Sequence, residues 1–150
     1  MLFNRLVQAI ESHSEEIVTS LVSQIRSDPE LKRLRALPEP ELRQWASAVV
    51  TRLSNWLSPH EIAVVTYNDL GRRRREQGVP LHETVGEILT LKRTLVDFIR
   101  EHCFSNTQVE LYAEEELEHM VHNCFDRILY HVVRGYETAS GRNLAAAAAE

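Results

Sequence analysis

The sharpest pattern with chemical potential in this 150-residue chain is Glu116-Leu117-Glu118-His119. On a helix, Glu-x-x-His sets a carboxylate and an imidazole on one face, as di-iron bundles do. His122 adds another imidazole about one turn on. A di-iron centre needs two such motifs on different helices plus two further glutamates, and the sequence holds one Glu-x-x-His. Glu110, Glu114 and Glu115 crowd the same stretch, so a solvated acidic face is the simpler reading. The remaining histidines, His13, His60, His82, His102 and His131, are scattered. A haem held by one axial histidine carries no sequence motif. A haem- or metal-binding helical sensor therefore stands as the alternative reading, and no catalytic, cofactor or metal residue is assigned.

Arg72-Arg73-Arg74-Arg75 is the dense charge run. At about 100° per residue, four consecutive side chains on a helix point in all directions, so they cannot serve one binding site. Cations also favour the last turn of a helix. Gly71 and Gly78 flank the run without the spacing of a nucleotide-binding loop, and no nucleophile elbow or zinc-protease motif occurs. The expectation is a protein without catalysis and without a bound cofactor.

The elements that position these residues read as helical. Gly and Pro total ten residues, about half the usual share, which leaves few turns. A 43% apolar and 26% charged composition is that of a soluble globular protein. Net charge of -5 argues against a nucleic-acid partner. No run approaches the roughly 20 apolar residues that span a bilayer, and the N-terminus lacks a signal-peptide pattern. A cytoplasmic protein with Cys103 and Cys124 as buried thiols is expected.

Residues 2–27 repeat apolar side chains in steps of three and four, interrupted at His13 and Ser14, and predict one long helix. Asp28-Pro29 predicts the cap and first residue of a short second helix ending near Leu37. A third is predicted over Glu41–Leu57. Ser58-Pro59-His60-Glu61 is a capping box that starts a fourth, closed by Gly78. Pro80 opens the fifth, with Leu81, Val85, Ile88, Leu89, Leu91 and Leu95 on its apolar face. Ser105 with Gln108 predicts the start of a last helix, reaching Glu137 or beyond. Trp45, Trp56, Tyr67, Phe98 and Phe125 fall at core spacing. The fold predicted is all-α, a bundle of about six helices with long first and last members, in one domain over 1–140. Residues 141–150, ending in an alanine run, read as a tail or linker.

The segment from Tyr67 through Gly71, the four arginines and Gly78 to Leu81 resembles the N-terminal sensory domain of the RsbR-type stressosome co-antagonists. That domain also stands ahead of histidine kinases and other bacterial signalling outputs. The tryptophan-bearing third helix and the long terminal helices share the resemblance. It implies a globin-like fold without haem, a dimer, and signal relay to an output domain or partner protein. Arg74, Arg75, Gly78, Pro80 and Leu81 match the family's helix junction, whose role looks structural.

Both terminal helices carry broad apolar bands, more than one face needs to close on its own core. Extra apolar helix surface marks an interface. A homodimer burying Leu6, Ile10, Val18, Leu21, Phe125 and Val132 is the expectation.

Overall fold

The computed structural model describes residues 2–57, 61–102 and 107–149. Seven α-helices occur among them, with no strand: α1 (Leu2–Ser12), α2 (Ser14–Ser27), α3 (Glu39–Thr51), α4 (Leu53–Leu57), α5 (Glu61–Glu76), α6 (Leu81–His102) and α7 (Gln108–Ala149). The architecture is an all-α, globin-like bundle. α7 packs most extensively on α5 and next on α6, while α2 lies between α3 and α6.

Local chemistry explains where the helices depart from the sequence pattern. The first long stripe breaks at His13, whose φ of -103° and ψ of 20° leave the helical region. There the Ser12 hydroxyl and His13 Nδ1 both crowd the Ala9 carbonyl, at 2.9 and 2.7 Å. Such local side-chain bonding competes with the helix ladder.

Asp28 does not start a helix. It closes α2 in extended conformation, and its Oδ1 accepts the Glu30 N–H at 2.9 Å in a local turn. Only a 3-10 turn, Leu34–Ala36, forms before Pro38. The N–H groups of Arg33 and Leu34 go to the Glu83 carboxylate of α6 instead of to a helical ladder.

The predicted third helix is two. Arg52, at φ -127°, separates α3 from α4. A continuous helix would use the Ala48 carbonyl for the Arg52 N–H, but the Trp56 indole donates to it at 3.1 Å. α3 also starts earlier than predicted, at Glu39, with a proline in its first turn.

The capping box at residues 58–60 lies outside the described residues. Ser105 does too. α7 begins at Gln108, two residues later than Ser105 would place its first turn, because Thr107 is the cap: its Oγ1 accepts the Glu110 N–H at 3.2 Å. Ile88, Leu91 and Leu95 of α6 are buried as predicted, but Leu89 is 47% exposed. Trp45, Tyr67, Phe98 and Phe125 are core, with Trp56 packed against it.

Candidate functional site at the helix junction

α5 ends in a motif that its sequence encodes directly. Gly78 has φ +76°, the left-handed conformation that a Cβ disfavours. The Gly78 N–H donates to the Arg75 carbonyl at 3.1 Å, and Val79 N–H to the Arg74 carbonyl at 3.0 Å. This pair of bonds is a Schellman cap, and the residue after the glycine, Val79, is fully buried. Pro80 follows, and its carbonyl accepts the N–H groups of Glu83 and Thr84, both at 3.1 Å, to begin α6.

The four arginines diverge as a helix requires, although Arg73 and Arg74 both reach Glu41. Arg72 pairs with Asp69 at 3.1 Å along α5. Arg73 reaches α3, where its Nε donates to Glu41 Oε2 at 2.8 Å and a second nitrogen pairs with Oε1. Arg74 turns inward. It is 1% exposed and forms a two-pronged pair with the equally buried Glu87 of α6, at 2.8 Å on both prongs. Its other donors meet Gln77 Oε1 at 2.8 Å and the Glu41 carbonyl at 3.2 Å. Arg75 lies over the Tyr136 ring of α7, 5.4 Å from its centroid. A run that reads as helix-end charge thus contains one buried arginine that joins the start of α3, the end of α5 and α6.

Glu41 is the outer anchor of this network. The Arg73 hydrogen bond, then that of Gln77, holds its carboxyl below the ordinary carboxylate range, against a smaller opposing effect of burial. A second buried acid, Glu83, was not singled out in the sequence. Its Oε1 accepts the N–H groups of Arg33 and Leu34 at 2.8 and 3.1 Å and so caps the 3-10 turn.

The junction is clamped to α7 by two devices. Tyr136 OH donates to the Val79 carbonyl at 2.7 Å. About two to three helical turns toward the start of α5, its backbone meets that of α7 at two glycines. A Cβ at Gly71 would overlap the Val132 carbonyl oxygen and stand 2.7 Å from Tyr136 N. A Cβ at Gly135 would stand 2.7 Å from Asn68 Cα. Neither glycine was assigned a role from the sequence. The available signal was a glycine inside each of two helical patterns, which marks close backbone approach.

Elsewhere on α7, Cys124 is buried and free, and its Sγ–H donates to the Trp56 carbonyl at 3.2 Å. Burial pushes its thiol up, with Arg127 opposing. Tyr67, 4.9 Å from the Trp56 ring, is likewise raised by burial, to which Cys124 adds. Cys103 lies outside the described residues.

The acidic motif on α7 does not assemble into a metal centre. Glu116 and His119 are exposed, and His119 Nε2 lies 3.2 Å from Asn123 Nδ2. Among the described residues no three His, Cys, Asp or Glu side chains gather to hold a metal. The residues expected to form a dimer face are also placed otherwise. Ile10, Val18, Leu21, Phe125 and Val132 are at most 2% exposed within a single chain, and Leu6 is partly buried against the same core. Two neighbouring apolar rows are covered here because each helix touches several others: α1 meets α3, α4, α6 and α7.

The family model described as the RsbT co-antagonist protein rsbRD N-terminal domain matches residues 15–150, from the start of α2 through α7. The chain belongs to this family. The RsbRD N-terminal family is one of signal-transduction regulatory domains. No curated protein and no solved structure matches the chain. Among the described residues no helix is long and apolar enough to cross a membrane.

Proposed function

We propose that this RsbRD N-terminal domain is a dimeric, non-catalytic relay module. Its α5–α6 junction biases the position of α7, and α7 passes that bias to an output domain or partner protein. One observation carries the reading. A single 42-residue helix, about 63 Å long at 1.5 Å per residue, is seated backbone-to-backbone on α5 and tied to the junction by Tyr136. A rigid helix gripped in this way moves as a unit when its seat shifts. The family description names a co-antagonist of RsbT, which fits a domain that acts through another protein. Neither a nucleic-acid partner nor membrane insertion belongs to this reading, and the cytoplasm is its setting.

With the expected dimer residues covered by the chain itself, the second copy docks on what α7 leaves open. Tyr130 is 63% exposed, and beside it Leu129 and Val133 line a shallow groove with Asp126, Arg134 and Glu137. Light scattering coupled to size exclusion tests the dimer. A mass near twice 17.3 kDa that falls on Tyr130→Asp supports it, and a monomer at high micromolar concentration overturns it. Hydrogen exchange tests the relay. Glu87→Gln should raise exchange along the part of α7 facing α5, around residues 132–136. A rise confined to α5 and α6 would overturn it.

A further inference from the structure

We propose that the second copy lies antiparallel on α7, about a two-fold axis at the level of Tyr130 that pairs each Asp126 with the partner's Arg134. The pairing rests on the dimer reading above and gives it a register and a direction. Tyr130 stands on the crest of α7. Ile128 and Val132, two residues to either side, are fully buried, whereas Tyr130 is 63% exposed. At about 100° per residue those two point to the opposite face, so Tyr130 turns squarely to solvent. The groove beside it is lined by α7 side chains alone.

A two-fold interface places one patch against itself, so the patch must be complementary to its own image. Asp126 comes four residues before Tyr130 and Arg134 four residues after it, about 6 Å down and up the same face. Both are exposed, and neither forms an ion pair with any described residue. An antiparallel copy centred on Tyr130 reverses their order, so each Asp126 stands opposite the partner's Arg134, twice per dimer. A parallel copy would set acid against acid and base against base.

The apolar residues point the same way. Leu129 and Val133 lie to one side of the crest, half-buried in the groove. The antiparallel axis runs across the two helices and keeps that side in common, so both copies' Leu129 and Val133 meet there. A parallel axis would send them to opposite edges. A register that pairs Tyr130 with the partner's Tyr112, also exposed, would set Asp126 against the partner's Glu116. One helix crossing is small beside a standard interface of roughly 1,600 Å², so the dimer is weak and depends on concentration.

Disulfide trapping reads the register on the full chain, in a Cys103→Ser background whose remaining Cys124 is buried. Tyr130→Cys lies at the axis and should join to itself. Asp126→Cys mixed with Arg134→Cys should give about fivefold more covalent dimer than either variant alone. The two Asp126 sites stand about 12 Å apart along the helices, beyond the ~7 Å Cα separation that a disulfide spans. Charge reversal reads the ion pairs. Asp126→Arg and Arg134→Asp should each weaken dimerisation about tenfold, and both changes in one chain should restore it. Abundant self-joining of Asp126→Cys, or a double reversal as weak as the single ones, overturns the pairing. A wild-type mass near twice 17.3 kDa with neither the Tyr130→Cys nor the mixed product overturns this register alone. A monomer at high micromolar concentration overturns the dimer reading with it.

Discussion

Arg74 and Glu87 face each other across the α5–α6 junction, Nε to Oε2 and Nη2 to Oε1, each at 2.8 Å and each side chain 1% exposed. Removing one partner from such a pair leaves a buried charge without compensation. Glu87→Gln should destabilise the fold by about 3–5 kcal/mol in chemical denaturation. The double change Arg74→Met with Glu87→Leu should recover most of that loss, because two apolar side chains of similar size avoid desolvation altogether. A double variant no better than the single one would show that the network's bonds to Gln77 and Glu41 matter more than the ion pair.

The two glycines of the α5–α7 crossing should respond against helix propensity. In an open helix, Gly→Ala stabilises by up to about 1 kcal/mol. At Gly71 the new methyl would overlap the Val132 carbonyl, and at Gly135 it would press on the Asn68 backbone. Backbone cannot rotate aside as a side chain can. Each change should cost more than about 3 kcal/mol, by overpacking that forces the helices apart. Gly86→Ala is the control, since its methyl meets only the end of the Leu31 side chain, 3.0 Å away, and should be near neutral. Melting curves of the three variants separate the two cases.

Gly78 closes α5 at φ +76°, and a β-branched residue fits that conformation worst. Gly78→Val should lower stability by about 1–2 kcal/mol. The Arg33 guanidinium 3.3 Å from the new Cβ is the end of a flexible side chain and can yield, so the cost is conformational, not steric. An unchanged melting temperature would mean that the Schellman cap opens without consequence.

Glu41 links stability to pH. Its carboxyl is depressed in the folded protein, first by the Arg73 hydrogen bond. The stabilisation this represents is therefore complete above the unfolded value near 4.5 and is lost as pH falls through the lower, folded value. Wild type should lead Glu41→Gln in melting temperature at pH 6, and the gap should close below pH 4.5. A gap that persists to pH 3 would show either that the Glu41 carboxylate is still ionised there or that the Arg73 contact survives protonation.

Cys124 should resist a thiol reagent in the native state. Burial raises its thiol, so little thiolate is present at neutral pH, and access is closed as well. In a Cys103→Ser background, labelling should follow unfolding. Rapid labelling of the folded protein would show that α7 opens locally around Phe125.

Much of this fold was written locally. Apolar steps of three and four placed the helices, Gly78 and Pro80 placed the junction, and the resemblance around Arg74–Leu81 led to the family. These signals act within one or two turns, so a reading along the chain captures them. What the chain could not show by itself depends on partners far away in sequence. Nothing distinguishes Arg74 from its three neighbours until α6 folds back and sets Glu87 thirteen positions on beside it. Gly71 and Gly135 look like weak points in two helices until the helices cross there. The split of α3 from α4 follows from an indole eight residues away that takes a backbone carbonyl. The broad apolar bands were visible, but whether a second copy or the chain's own helices cover them is a matter of packing. Hydrophobic burial has no direction, so periodicity reports which residues leave water, and only the tertiary arrangement decides what they meet.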